Sequence, residues 1–184
     1  MNKTLKMVII LSLFSVFSAA SLCFVYQYTL PKVEKNREEK LKETIFSLVD
    51  GAKNFSILEK EGEILYAVKD SQDKTIAYCF MVIANGYQDK ISLMCAVKTD
   101  LKTLIGISVL ESYETPGLGS RIEEKDFKNQ FVNLSTYPSI TITDKKPANN
   151  NEVQAITGAT VSSRAVINGL NAKLETIRKV YETQ

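Results

Sequence analysis

An α+β domain, with an antiparallel sheet flanked by helices and one N-terminal transmembrane helix before it, is predicted by three features of the sequence. Residues 7–28 carry no charged side chain. Between residues 64 and 110, short β-rich runs alternate with turn residues. From Val161 to Tyr181, apolar residues recur at helical spacing. With a membrane helix and its stalk set aside, the 184 residues leave roughly one domain by the usual length of about 100–200 residues.

The run MVIILSLFSVFSAASLCFVYQY (7–28) matches the about 20 apolar residues of helix needed to cross a hydrocarbon layer of about 30 Å. Tyr26 and Tyr28 stand where an interfacial aromatic belt would lie, and Pro31 is expected to break the helix. A cleaved signal peptide has a core of about 7–15 residues, shorter than this run, although Ser18-Ala19-Ala20-Ser21 has the small residues of a cleavage site. Cys23 follows Leu22, where a lipoprotein signal would carry a small residue. Basic residues flank both ends, Lys3 and Lys6 before and Lys32, Lys35, Arg37, Lys40 and Lys42 after, so charge alone does not orient the span.

Residues 29–50 form a charged helical stalk, in which 32–50 read as a helix with a narrow apolar stripe of Leu41, Ile45, Leu48 and Val49, stopped at Gly51. Strands are expected at Ile64–Lys69, Thr75–Ala84, Ile91–Lys98 and Leu104–Leu110. Asn85-Gly86 between the second and third is a hairpin signal. A short helix from about Glu123 would place Phe127, Phe131 and Leu134. Ile140–Thr143 would add an edge strand, and residues 145–152 a polar loop. In the C-terminal helix, Val166, Leu170, Leu174, Ile177 and Tyr181 form a core-facing stripe.

Composition removes several chemistries. The sequence has no histidine, which excludes Ser-His-Asp triads and every histidine metal site. Its three cysteines include no C-x-x-C pair, so neither a cysteine zinc nor an iron–sulfur site has its ligands. A net charge of +2, with no basic run interleaved with aromatics, gives no nucleic-acid signal. No catalytic residue and no metal ligand is assigned. Redox chemistry on such a chain needs a cofactor.

Two segments have the composition of a ligand site. Glu114-Thr115-Pro116-Gly117-Leu118-Gly119 follows a strand. Its Thr-Pro-Gly suits a type II turn, and Gly119 offers a second close backbone approach. Read alone, it is more simply a connection between elements. Thr157-Gly158-Ala159-Thr160-Val161-Ser162-Ser163 leads into the last helix, with Thr160 a natural N-cap. Free amides there favour an anion, the small residues leave room for a bulky group, and Ser162 and Ser163 can bond phosphate oxygens, with Arg164 nearby. A plain helix cap is the simpler reading of the same residues.

Thr157-Gly158-Ala159-Thr160 matches the S/T-G-A-T flavinylation motif of covalent FMN-binding domains. The 114–119 segment, followed by Phe127 and Gln130-Phe131, resembles their other signature. With one N-terminal membrane helix, the whole is similar to the G subunit of the Rnf (Rsx) electron-transport complex. The related C subunit of the sodium-translocating NADH:quinone reductase shares both motifs and is usually longer. The resemblance implies FMN esterified through its phosphate to Thr160 by a separate flavin transferase, with the 114–119 turn packed on the flavin. It implies a cytoplasmic tail (1–6), a single membrane pass (7–28) and an extracytoplasmic FMN-binding domain (51–184). It also implies electron relay among other membrane subunits of a complex that couples ferredoxin–NAD electron transfer to sodium or proton translocation. One departure is Gln154, where many such motifs carry an acidic residue. The alternatives are that C subunit, a stand-alone extracytoplasmic FMN electron carrier and, from another class, a flavin-free membrane-anchored binding or assembly module.

Cys79 and Cys95 are equidistant from Tyr87, so a symmetric hairpin would set them opposite each other. A disulfide would suit an extracytoplasmic domain. Both also alternate with apolar neighbours, like small core residues, which leaves the pairing open.

Overall fold

The computed structural model describes residues 3–181. Met1 and Asn2 of the short tail, and residues 182–184 of the expected domain, lie outside the described residues. The chain divides into two compact units, one up to Lys40 and one from Leu41 onward.

Helix α1 (Lys3–Leu48) contains the apolar run and continues through Pro31. The expected break is therefore not made. Proline removes one backbone donor, but the Lys-, Glu- and Arg-rich sequence after it is strongly helix-forming, so the helix resumes at once. Residues 3–40 are all exposed. In water such an apolar surface would be costly, whereas hydrocarbon meets it without penalty. The hydroxyls of Ser15 and Thr29 donate to the carbonyls of Leu11 and Val25 (3.0 and 2.8 Å), so these polar groups of the first unit are satisfied within the helix.

The second unit starts ten residues earlier than the sequence reading sets it, because the end of α1 and the residue after it belong to its core: Ile45 and Val49 are buried. Five strands follow, β1 (Asn54–Lys60), β2 (Glu63–Lys69), β3 (Thr75–Asn85), β4 (Lys90–Lys98) and β5 (Leu104–Ser112). They form one antiparallel meander in the order β1-β2-β3-β4-β5. Strand β1 is not among the expected ones. It is an edge strand with Ile57 62 % exposed and polar residues on both faces, so it lacks the buried alternation that marks a strand in sequence.

The β3–β4 hairpin is centred half a residue away from Tyr87. Asn85 pairs with Lys90, and the connection has four residues, closed by the Gly86 N–H donating to the Asp89 carbonyl (2.9 Å). Cys95 therefore pairs with Phe80, and Cys79 with Ala96. A one-residue change of register reverses the face of a side chain. The two cysteines consequently belong to opposite faces and are free thiols, not a disulfide. Burial pushes the Cys79 thiol up to about 12 and raises that of Cys95 as well.

On one face Phe80, Val82, Leu93, Cys95 and Val97 form a core with helix α3 (Thr160–Tyr181), through Val166, Ile167, Leu170, Leu174 and Ile177. On the other, Tyr66, Val68, Ala77, Cys79, Met94 and Ala96 pack on Ile45 and Val49. The apolar stripe expected for α3 is buried, while Tyr181 is half-buried and donates its hydroxyl to the carbonyls of Leu58 and Glu63 (3.2 and 3.1 Å). Gly169 lets α3 approach β3 closely: a Cβ there would lie 2.9 Å from the Ala84 Cβ and 3.1 Å from the Val82 Cγ1.

After β5, a 3-10 turn (Gly119–Glu123) and the short helix α2 (Lys125–Asn129) bury Ile122, Phe127 and then Phe131. Strand β6 (Thr141–Thr143) is not an edge of the main sheet. It pairs in parallel with β7 (Glu152–Gln154) in a separate two-stranded sheet, which takes the end of the expected polar loop. The cause is Val153, which is fully buried and draws that segment into the core.

Candidate functional site

The site is built where the β3–β4 loop, the end of β5 and the start of α3 meet. The β5 chain leaves the sheet at Ser112. Thr115–Leu118 then forms the expected turn: the Leu118 N–H donates to the Thr115 carbonyl (3.2 Å), and Gly117 has φ 73°, the conformation a type II turn requires at that position. Ser120 secures it by accepting from the Gly117 N–H through Oγ (3.0 Å).

Helix α3 begins at Thr160 itself, and the residue ahead of it is Ala159, whose carbonyl accepts the Ser163 N–H (3.0 Å). Thr160 is thus the first helical residue rather than the cap. The cap-like role falls to Ser163, whose Oγ accepts from the Ile156 N–H (3.0 Å) and donates to the Ala159 carbonyl (2.9 Å). The hydroxyl of Thr160 has no hydrogen-bond partner among the described residues, and the residue is half-buried. The amides of the first helical turn have no intrahelical acceptor and point toward the same end, where the helix dipole favours negative charge.

These segments enclose a cavity of about 440 Å³. Leu118, Thr115, Gly119 and Glu114 line it from the turn, and Gly158, Ala159, Thr160, Val161 and Ser162 from the helix start. The two motifs read from the sequence, about forty positions apart, therefore share one wall-to-wall space. The volume lies within the about 300–1,000 Å³ of small-molecule sites. Leu118 and Val161, 49 % and 55 % exposed, give it an apolar rim.

Not every expected residue faces this space. Pro116 and Gly117 are exposed and shape the turn without lining the cavity. Thr157 lies in a separate cleft with Gln130, Lys146 and Gln154, away from Thr160. In that cleft Gln130 holds the Gln154 backbone from both sides, Oε1 accepting its N–H (2.7 Å) and Nε2 donating to its carbonyl (3.3 Å). Ser162 and Ser163 do not offer free hydroxyls for a phosphate. Both are buried, and a buried hydroxyl takes a protein partner: Ser162 donates to Glu114 Oε2 (2.5 Å), and Ser163 is committed to the turn. Glu114 itself is buried at the cavity wall.

Tyr87 is a lining residue that the sequence does not single out. The β3–β4 loop carries it to the cavity opposite the helix start, 72 % exposed, and nothing in the sequence around it announces that role. The sequence reading also omits a second hollow of about 320 Å³ on the other side of Thr160 and Val161, lined by Asn85, Arg164 and Asn168. Here a signal exists, since Arg164 and Asn168 follow Thr160 at i+4 and i+8 and share its helix face.

The residues fit a phosphate-linked flavin. An unengaged threonine hydroxyl stands at a helix start, between a cavity with an apolar rim and a hollow carrying an arginine.

Comparison with known proteins points to FMN binding. A model of the FMN-binding domain matches residues 86–175, from the β3–β4 loop into α3. The G subunit of the ion-translocating oxidoreductase complex of Methanosarcina acetivorans is 29 % identical, covering 92 % of each chain. The G subunit of the proton-translocating ferredoxin:NAD(+) oxidoreductase complex of Clostridium ljungdahlii is 31 % identical, covering 87 % of this chain and 84 % of its own. The crystal structure of NqrC from Shewanella oneidensis shares the fold, with a TM-score of 0.55 at 18 % identity over 70 % of this chain and 72 % of that one. With the two motifs converging on one cavity and a relative of this identity matched over most of both chains, the protein belongs to the family of G subunits of ion-translocating oxidoreductase complexes.

Proposed function

We propose that this chain is a membrane-anchored flavoprotein subunit that carries FMN as a phosphoester on Thr160. In this reading it relays electrons within a complex that couples ferredoxin:NAD electron transfer to sodium or proton translocation. The helix over 7–28 anchors it in the cytoplasmic membrane, the following domain faces the extracytoplasmic side, and a flavin transferase attaches the cofactor. The chain has no catalytic residue of its own and works as a subunit beside the other members of the complex.

The observation that carries this reading is the position of the Thr160 hydroxyl, half-buried and unengaged at the edge of the cavity shared by both motifs. Thr160 Oγ1 provides the oxygen that the phosphate esterifies. The first-turn amides and Arg164 favour the phosphate charge. Thr115, Leu118 and Gly119 line the space for the ring, with Leu118 and Val161 excluding water from it. Bound FMN supplies the electron-transfer chemistry that no side chain here offers. The tether makes cofactor binding intramolecular and prevents its loss.

Substituting Thr160→Ala tests the reading. Co-expressed with a flavin transferase, the parent is expected to keep the mass and absorbance of FMN after denaturation, and T160A to lose both while remaining folded. A T160A protein that still held FMN after denaturation would overturn the assignment.

A further inference from the structure

We propose that Glu114 is the positioning residue of this site: its carboxylate ties the β3–β4 loop to the first turn of α3, so fixing Tyr87 relative to Thr160, and sets its negative charge on the cavity wall. The proposal rests on the FMN reading above and deepens it, because a motif residue counted as a cofactor contact is given a different task.

The geometry is specific. Glu114 is 6 % exposed, and its two oxygens are divided between two elements. Oε1 accepts the backbone N–H of Gln88, the neighbour of Tyr87, at 3.0 Å. Oε2 accepts the hydroxyl of Ser162, two residues after Thr160, at 2.5 Å. The loop is fastened a second time where Thr115 Oγ1 donates to Gln88 Oε1 (3.2 Å). Space for the carboxylate comes from two glycines, since a Cβ at either Gly86 or Gly119 would collide with it. One acidic side chain therefore touches all three segments that line the cavity.

An ordinary buried network would not need a charge here. Burying a carboxylate is costly, and among the described residues no ion pair reaches this one. A glutamine has the same shape. Its oxygen would accept from the Gln88 N–H and its amide would donate to Ser162 Oγ, whose own proton turns to the carbonyl one helical turn back. The carboxylate differs in placing negative charge on the cavity wall, which opposes adding electrons to whatever the cavity holds.

The test compares E114Q and E114A with the parent in the full-length chain, with flavin content verified by mass. Hydrogen exchange of the Gln88 amide is read in the flavin-free protein, and the flavin midpoint potential in the loaded one. E114A is expected to speed Gln88 exchange by about tenfold or more, the loss of a hydrogen bond to a charged acceptor. E114Q is expected to restore slow exchange while the potential stays shifted upward from the parent's. If E114A fails to fold, the potential of E114Q decides. Parental exchange in a folded E114A, or a parental potential in E114Q, would overturn the proposal. Failure of the FMN reading looks different: the parent itself would carry no covalent flavin, while the exchange measurement would still report on the tie.

Discussion

The two walls of the cavity obtain their rigidity by opposite means. The helix wall is held by repetition. Behind Thr160, Val166, Ile167, Leu170 and Leu174 are buried one turn after another, so no single contact decides where the threonine stands. The turn wall has no such backing. Pro116, Gly117 and Leu118 are exposed, and the segment keeps its shape through a few hydrogen bonds and through two glycines that leave room for one carboxylate. On the proposed reading, attachment chemistry sits on the redundant wall, and the wall in which each contact counts sets the environment of the ring. Substitutions in the two walls should accordingly separate flavin content from flavin properties.

The largest structural effect is expected at Gly119. A valine there drives its Cβ into the Glu114 carboxylate and to within 2.8 Å of Ser162 Oγ, in a buried position. Overpacking of this kind costs about 1–3 kcal/mol, and a lowered midpoint in chemical denaturation of the flavin-free protein should show it. A midpoint equal to the parent's would mean that the turn wall yields freely. Gly117→Val is milder. Nothing lies within 4 Å of the added Cβ, so only the positive φ of 73° resists, at about 1–2 kcal/mol for a side chain in the left-handed region. Flavin content should be normal and the absorption envelope altered, and an unaltered spectrum would show that the turn does not touch the ring. The smallest effect is expected from Thr157→Ala. The residue is exposed in its own cleft, so stability should stay within about 0.5 kcal/mol and covalent flavin should be retained. Loss of the flavin in T157A but not T160A would reassign the attachment.

Much of this is legible in the sequence because strong local signals agree with the final packing. The α3 stripe, the four strands β2 to β5 and the turn at 115–118 each follow from periodicity or turn chemistry in a short window. The features that escape such a reading depend on counting or on distance. Asn85-Gly86 marks the hairpin but not its four-residue connection, and half a residue of offset moves the two cysteines to opposite faces. Strand β1 is held by its partner β2 and not by its own pattern. The burial of Ser162 and Ser163 does have a signal: four residues before Val166 and Ile167 stand these two serines, so the core stripe already contains both. Tyr87 has no local signal at all, because only the closure of the sheet onto α3 brings a hairpin tip to a helix start.

The contact between Gly169 and Ala84 extends this picture along the helix. At that crossing α3 packs closely on β3, and the helix rests on the strand as a beam rests on a fulcrum. Thr160 lies nine residues away, roughly 13 Å along the axis at 1.5 Å per residue. A single methyl group at 169 would lift the helix from its support, and the arm beyond the pivot would carry that tilt to the Thr160 hydroxyl. With FMN attached at Thr160 as proposed, its placement would be governed in part by a residue that never approaches it.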